Sequence, residues 1–413
     1  MLPGQGYRFC TTNHLPKDHV VDIRLSMQNF IFHNPTKIVF GKGTIETVGK
    51  EILPFGKRVL MVYGRKSIKQ TGIYDRVINS LRSRGLDIIE LPGVKPNPVL
   101  SFAMEGIDIA KKYDADVILG VGGGSVIDTA KTIAVGMHAE HDVWDFFLRK
   151  RLIKKAAPVV TVVTCSASAS EMNTSAVITN ESTKQKYSIN SPQVRPKTSI
   201  LDPTALFPLP ADQSAYAAVD SITHMLEAYF NNSEPDSPLQ DRLVYAVMKT
   251  IMESTETILE NPTNYNARAN MMWSATLAFN GMIPLGLGKV GLPCHMIEHS
   301  LSALYDIPHG AGLAIILPGW MRYSMEKNPA RIAKLARDFF SIKEKDDKDA
   351  AAMAVESIES WFTSIKAPTR LSHVGISGSD INGIASNAYP LARVWRLSGY
   401  TLEVISDILS LCL

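Results

Sequence analysis

Short apolar runs alternate with amphipathic segments from about residue 34 to residue 205. The runs predict buried strands at 59–63, 87–91, 116–120, 158–164 and 199–202, and the segments predict helices at 71–84, 100–113 and 126–137. Strands that alternate with helices are typical of βαβ units, whose strands lie parallel in one sheet. The first half of the chain is therefore predicted to be an α/β domain.

The pattern changes after a cluster of prolines at Pro203, Pro208 and Pro210. Beyond residue 212 the apolar residues recur mostly at helical spacing, and β-branched runs are few. We place a domain boundary in this cluster and predict an α/β domain at 27–208 and an all-helical domain at 209–413. Residues 1–26 lack the apolar core of a signal peptide and are predicted to be a disordered or non-native extension.

Composition narrows the class of protein. A chain of 413 residues, 45% of them hydrophobic, is long enough for two domains that each bury a core. Its 43 Lys and Arg and 40 Asp and Glu are interspersed and give a net charge of +3, so a nucleic-acid partner is not expected. No apolar run reaches the roughly 18–20 residues that span a bilayer, so no membrane partner is expected either. The four cysteines form no C-x-x-C pair, which favours a reducing, cytoplasmic location.

A glycine-rich turn follows the predicted strand at 116–120. Residues 120–125 read GVGGGS, and a helix is predicted directly after them. Glycines permit positive φ and let the main chain approach a ligand closely, and the N–H groups of a helix start can hold a phosphate. The spacing is not the usual G-x-G-x-x-G with a following acidic residue, so a tight turn without a ligand is the alternative. The strand–turn–helix context favours a pyrophosphate site.

A second turn, Gly64-Arg65-Lys66-Ser67, follows the predicted strand at 59–63. In doubly wound folds this position meets the adenosine ribose of a dinucleotide. A carboxylate there would favour the 2′-hydroxyl of NAD, whereas Arg65 and Lys66 would attract a 2′-phosphate. NADP is therefore predicted in preference to NAD. The alternative is two ordinary surface cations.

The helical half contains two pairs of possible metal ligands, and the members of each pair are four residues apart. They are Asp220 with His224 and His295 with His299, and His309 follows them. Positions i and i+4 share one helix face. One such pair is usually a surface contact, but two pairs and a third site at His309 favour a metal site. Imidazole and carboxylate together suit Fe²⁺ or Zn²⁺. A divalent metal lowers the pKa of an alcohol or polarises an aldehyde, and a nicotinamide then carries the hydride.

Three motifs together resemble one known family. They are GGGSVID at 122–128, the D-S-x-x-H-x-x-E run that begins at Asp220, and H-x-x-x-H followed by YDIPHGAGLAIILPGW at 305–320. In this order they resemble the iron-containing, or group III, alcohol dehydrogenases, and most of all their butanol dehydrogenase-like branch. The resemblance extends from Met27 to the C-terminus. It implies an α/β dinucleotide-binding domain, an all-α metal-binding domain, and a homodimer that acts on a small alcohol or aldehyde.

The resemblance also implies roles for individual residues. The metal ligands would be Asp220, His224, His295 and His309, and His299 would be a catalytic residue that moves a proton or positions the substrate. A purely structural role is the alternative for His299. The cofactor would be held by Gly122, Gly123, Gly124 and Ser125 at the pyrophosphate, by Lys184 at the nicotinamide ribose, and by the nearby Asn97, Asp128, Thr164 and Ser168, together with Gly64, Arg65, Lys66 and Ser67.

The chain also departs from the family pattern. Ala169 stands where the family commonly has a turn glycine, which predicts backbone strain beside the cofactor. Gly291-Leu292-Pro293 stands where the branch usually has D-W-A, so the substrate range does not carry over. Two alternatives stay open: a glycerol dehydrogenase or dehydroquinate synthase-like enzyme, and a catalytically inactive binding protein of the same fold.

Overall fold

A computed structural model describes residues 27–232 and 237–413, so the prediction for residues 1–26 lies outside the described residues. The strands are β1 (Lys37–Phe40), β2 (Arg58–Tyr63), β3 (Asp87–Pro92), β4 (Val117–Gly122), β5 (Val159–Val163), β6 (Ser175–Asn180), β7 (Gln185–Asn190) and β8 (Thr198–Leu201). The α-helices of this half are α1 (Val48–Ile52), α2 (Ser67–Gln70), α3 (Ile73–Arg82), α4 (Leu100–Tyr113), α5 (Gly124–Gly136) and α6 (Trp144–Phe147).

Six strands form one parallel sheet in the order β1-β8-β5-β4-β2-β3. Alternate residues of β2 point to opposite faces, as the pleat of a strand requires. Leu60 and Val62 pack in the same core as α4 and α5, while Val59 and Met61 pack with α1 and α3. Because helices cover both faces, the central strands read as continuous apolar runs, and for this reason the sequence predicted them.

The structure confirms the predicted α/β fold class and also contains strands that the sequence did not predict. β1 is a short edge strand, and β6 and β7 form an antiparallel hairpin beside the main sheet. The hairpin reads SAVITN and QKYSIN, in which polar residues interrupt every apolar run. Neither a continuous apolar run nor a clean alternation was present to predict it.

The second half is helical in every regular element that the structure describes. Its α-helices are α7 (Ala211–Phe230), α8 (Pro238–Glu260), α9 (Tyr265–Ala278), α10 (Pro293–Tyr305), α11 (His309–Met325), α12 (Ala330–Asp338), α13 (Asp347–Ser364), α14 (Ile381–Val394) and α15 (Leu402–Ser410). β8 ends at Leu201 and α7 begins at Ala211, on either side of the predicted boundary. Among the described helices, none is both long and apolar enough to cross a membrane.

Candidate metal and cofactor site

A cavity of about 920 Å³ lies between the carboxyl ends of the parallel strands and the helices of the second half. It brings together most of the residues that the sequence singled out. Those that line it are Gly64, Arg65, Lys66, Ser67, Asn97, Gly123, Gly124, Ser125, Asp128, Thr164, Ser168, Asp220, His224, His295, His299 and His309. Gly122 and Lys184 are not among the lining residues.

The glycine turn brings main chain, without side chains, to the cavity wall. Gly123 precedes the first residue of the 13-residue helix α5, and Gly123, Gly124 and Ser125 all line the cavity. A Cβ on Gly123 would lie 2.9 Å from Cys165 Cβ, and one on Gly124 would lie 2.5 Å from Ser168 Oγ. Close packing therefore requires these glycines, and neither of them has a positive φ. A helix N-terminus with open main chain can hold a phosphate.

Three potential metal ligands converge at the helical side of the cavity. One donor atom each from Asp220, His295 and His309 lies within 4.8 Å of the other two. Asp220 Oδ1 is 3.3 Å from His295 Nε2 and 3.7 Å from His309 Nε2. Asp220 comes from α7, His295 from α10 and His309 from the start of α11, so three helices build the cluster.

His224 lies against this cluster, one turn after Asp220 on α7. Its Nδ1 is 3.1 Å from Asp220 Oδ1, and its ring lies 4.1 Å from that of His295. The Nδ1 atom is buried and has no hydrogen bond to any described residue. A buried polar atom without a hydrogen bond is costly, and a metal ion would satisfy it. The donor set, one carboxylate and imidazole nitrogens, fits Fe²⁺ or Zn²⁺.

Two buried glutamates orient the clustered histidines. Glu227 Oε2 contacts His295 Nδ1, and Glu298 Oε2 contacts His309 Nδ1. With Nδ1 engaged in this way, the Nε2 atom of each ring faces Asp220. Carboxylates behind metal-ligating histidines fix ring orientation and strengthen binding. Sequence reasoning missed both glutamates, although each stands inside a quoted motif, Glu227 at the end of D-S-x-x-H-x-x-E and Glu298 inside H-x-x-x-H.

The pKa values of this cluster follow from burial and charge. Burial acts to raise the pKa of Asp220, but its interactions with the imidazoles of His224, His295 and His309 hold it well below its usual range. Burial acts to lower the pKa of His295, but Glu227 and Asp220 raise it. Burial lowers the pKa of His224. Asp220 is therefore ionised and His224 is neutral, which are the forms that bind a metal.

His299 differs from the other histidines in its partner. Its Nδ1 lies 2.9 Å from the carbonyl oxygen of Lys186, so Nδ1–H donates and Nε2 is left as an acceptor. Burial, followed by the charge of Lys186, lowers the pKa of His299 well below its usual value. Its ring meets that of Trp395 edge-on, with the centroids 5.4 Å apart. A neutral imidazole thus lies beside the group formed by Asp220, His295 and His309.

The sequence of this chain matches a known protein family along most of its length. Residues 35–203 match the family described as "Iron-containing alcohol dehydrogenase", and residues 214–409 match "Fe-containing alcohol dehydrogenase family, C-terminal". The chain belongs to the iron-containing alcohol dehydrogenase family. This identification makes it an oxidoreductase and disfavours the alternatives of a glycerol dehydrogenase, a dehydroquinate synthase-like enzyme and an inactive binding protein.

Relatives and a solved structure give the branch of the iron-containing alcohol dehydrogenases. The chain is 40% identical over 385 residues to a "Probable NADH-dependent butanol dehydrogenase 1" of Bacillus subtilis, covering 93% of this chain and 99% of the relative. It is 34% identical over 358 residues to the NADPH-dependent aldehyde reductase of Escherichia coli, covering 86% and 91%. The crystal structure of an NADH-dependent butanol dehydrogenase A from Thermotoga maritima superposes with a TM-score of 0.90 at 45% identity, covering 94% of this chain and 99% of that one.

One predicted cofactor residue of this alcohol dehydrogenase, Lys184, lies away from the cavity. Lys184 lies exposed in the turn between β6 and β7 and does not line the cavity. Lys186 lines it instead, and its buried Nζ donates to Asn97 Oδ1 at 3.1 Å and lies 3.8 Å from Glu298 Oε2. Successive strand residues alternate in direction, and the hairpin register was unknown because the hairpin was not predicted.

Two of the predicted cofactor residues are already bonded within the protein. Asn97 Nδ2 donates to Asp306 Oδ1 at 2.8 Å and to the carbonyl oxygen of Ile307 at 3.1 Å, so Asn97 ties the α/β domain to the loop before His309. Asp128 accepts from Ser170 Oγ at 2.6 Å and from the Val177 N–H at 3.0 Å. Both side chains therefore position the cavity wall.

Ala169 takes the strained backbone that its replacement of a family glycine predicts. Its φ is +50°, and its side chain is fully buried. The left-handed region is costly for a residue with a Cβ. Met172 N–H and Asn173 N–H both bond the carbonyl oxygen of Ala169, which holds the turn in place.

Proposed function

We propose that this chain reduces small aldehydes to primary alcohols, and catalyses the reverse reaction, with NADP as the nicotinamide cofactor and Fe²⁺ as the metal. The observation that carries the proposal is the convergence of Asp220, His295 and His309 in the same cavity as the glycine turn at Gly123 and Gly124. Hydride transfer requires the nicotinamide and the substrate carbon to lie next to each other, and this cavity would hold both.

The metal would be held by Asp220, His295 and His309, with His224 as the fourth ligand. A divalent ion bound there would polarise the oxygen of the substrate. Glu227 and Glu298 would keep Nε2 of His295 and His309 directed at the ion, and their charges would offset its positive charge. Iron is proposed because the family is iron-containing; Zn²⁺ suits the same donors. Elemental analysis of the purified protein distinguishes the two metals.

His299 is proposed as the residue that handles the substrate proton. Its Nδ1–H is committed to the Lys186 carbonyl, so only Nε2 is available to accept or return a proton. Because burial keeps the ring neutral, Nε2 can take a proton from an alcohol and give it back to the product of aldehyde reduction. Its neighbour Trp395 restricts how far the ring can turn.

The preference for NADP is proposed from the turn after β2. Arg65 and Lys66 are exposed at the cavity wall, and neither side chain forms an ion pair with a described residue. Two free cations at the ribose position favour a 2′-phosphate. The named relatives include both NADH- and NADPH-dependent enzymes, so the turn residues of this chain are the observation that favours NADP.

A homodimer is proposed from the exposed apolar residues at the start of the described chain. Phe30, Ile31 and Phe32 are 50%, 95% and 45% exposed, and β1 just after them is an edge strand of the sheet. Contiguous exposed apolar residues beside a sheet edge favour a protein partner. A mass near 45.4 kDa in light scattering would contradict the dimer, and twice that mass would support it.

The direct test of the proposed activity is oxidation of NADPH, followed at its absorbance band, with butanal and the Fe²⁺-loaded protein. Turnover that disappears on chelation and returns on Fe²⁺ addition supports the proposal. Absence of turnover with NADPH and with NADH contradicts it.

A further inference from the structure

A strongly basic loop follows α6 at one wall of the cavity. Residues 149–155 read RKRLIKK, so five of seven are Arg or Lys. The loop is largely exposed, and Leu152 is 85% exposed. Only its first residue, Arg149, is among the residues that line the cavity. One exposed cation of the loop therefore forms part of the cavity wall, while the other four do not line the cavity.

The backbone holds Arg149 in a conformation that is rare for an arginine. Its φ is +56°, in the left-handed region that favours glycine. The turn is closed by the Arg149 N–H, which bonds the Phe146 carbonyl, and by the Lys150 N–H, which bonds the Asp145 carbonyl. A helix commonly ends in such a turn, but with glycine or asparagine. An arginine that keeps this costly conformation and lines a cavity indicates that the guanidinium has a role in the cavity.

The guanidinium of Arg149 has no hydrogen bond or ion pair to any residue within the described ranges 27–232 and 237–413. Burial, and then repulsion from Arg396, lowers the pKa of Arg149. Arg396 itself does not line the cavity. A guanidinium that stands in a cavity wall without an anionic partner is available to form charge-assisted hydrogen bonds with a bound anion.

Arg149 lies on the same side of the cavity as His299. It follows α6, where the ring of Trp144 stacks on that of Tyr187 with the centroids 5.7 Å apart, and the carbonyl oxygen of the adjacent Lys186 accepts from His299 Nδ1–H at 2.9 Å. Leu397 and Leu292 also line the cavity and give it an apolar stretch. The glycine turn, where cofactor phosphates are expected, is built from a different set of elements, β4 and α5.

We propose that Arg149 binds a carboxylate on the end of the substrate opposite the reacting carbon. The substrates would then be aldehydes that carry a carboxylate, and the products the corresponding hydroxy acids. The apolar stretch formed by Leu292 and Leu397 would accommodate the carbon chain between the two ends. This inference rests on the proposed function, because it assigns the distal end of a substrate whose carbonyl lies at the metal cluster.

The test compares two aldehydes of equal length, 4-oxobutanoate and butanal, with NADPH and the Fe²⁺-loaded enzyme. We expect kcat/KM to be about tenfold higher for 4-oxobutanoate, because a site built for a polar group rejects the analogue that lacks it. Arg149→Met should reduce the ratio of the two kcat/KM values about tenfold. Lys154→Met is the matched control, since it removes a charge from the same loop at a residue that does not line the cavity, and it should leave the ratio unchanged.

The outcomes separate this inference from the proposed function. Turnover of butanal with no preference for 4-oxobutanoate, or an equal ratio in Arg149→Met and wild type, would overturn the inference and leave the proposed function intact. A rise in the KM for NADPH in Arg149→Met with an unchanged aldehyde ratio would assign Arg149 to the cofactor and also overturn it. If neither aldehyde turns over, calorimetric binding of 4-hydroxybutanoate still decides the matter: binding that is lost in Arg149→Met supports the carboxylate site, and equal binding in the two proteins contradicts it.

Discussion

Glu298 Oε2 contacts Nδ1 of His309, and this contact turns His309 Nε2 toward Asp220 Oδ1, 3.7 Å away. Glu298 is fully buried and is also held by Ser302 Oγ and by the Lys186 ammonium 3.8 Å from it. One carboxylate therefore joins a proposed metal ligand from α11 to the hairpin of the α/β domain. The orientation of His309 therefore depends on a residue outside the group of Asp220, His295 and His309.

Replacement of that carboxylate tests its role. Glu298→Gln should weaken Fe²⁺ binding by about 10–100-fold. A neutral amide polarises the imidazole of His309 less than a carboxylate does, and it holds the ring less firmly. The measurement is competition for Fe²⁺ with a chelator of known affinity. Glu326→Gln is the matched control, since Glu326 pairs with Lys348 on the surface. The Fe²⁺ affinity of this variant should equal that of wild type. Equal affinities in all three proteins would show that Glu298 does not support the metal.

The two cations in the turn after β2, Arg65 and Lys66, predict that the enzyme prefers NADPH to NADH. Replacing Arg65 and Lys66 together by serine should lower the ratio of kcat/KM for NADPH to that for NADH by about tenfold, because the 2′-phosphate loses charge-assisted hydrogen bonds. Lys42→Ser, at an exposed lysine that does not line the cavity, should leave the ratio unchanged. A wild-type enzyme that clearly prefers NADH would contradict the assignment of these cations.

The left-handed backbone of Ala169 predicts an unusual response to glycine. Ala169→Gly relieves a cost of about 1–2 kcal/mol, which offsets the lost methyl burial and the added chain entropy. Ala134 is also fully buried, but it lies inside α5 and has no positive φ, so Ala134→Gly gains nothing in return. Denaturant unfolding should show Ala134→Gly to be the more destabilising by about 1 kcal/mol. Equal losses in the two variants would mean that Ala169 is not strained.

The sequence predicted the parts of the fold that hydrophobic burial controls. The central strands are covered on both faces, so their apolar runs were visible without any structure. The β6–β7 hairpin was not visible, because its residues Lys186 and Ser188 face the cavity and its pattern is polar. The position of Lys184 outside the cavity could not be predicted for the same reason, since the direction of a side chain depends on the register of an unpredicted strand.

The candidate site was only partly predictable for a similar reason. Spacing of four places two residues on one helix face, which made Asp220, His224 and His295 visible as candidates. The spacing gives no information about which residues contact the Nδ1 side of a histidine ring. Glu227 and Glu298 were therefore identified only from the packing of α7, α10 and α11. Arg149 was overlooked because a basic run is usually solvated, and only the cavity distinguishes its first member from the rest.

Metal content is the most direct test of the central claim, that Asp220, His224, His295 and His309 hold one divalent ion while His299 stands beside it. Elemental analysis of His309→Ala and His299→Ala, purified after Fe²⁺ loading, should find loss of metal in the first and about one ion per chain, as in wild type, in the second. Turnover should fall in both, by about 10²–10⁴-fold in His299→Ala if that residue moves the proton. Full metal content in His309→Ala, or equal loss in the two variants, would contradict the ligand assignment.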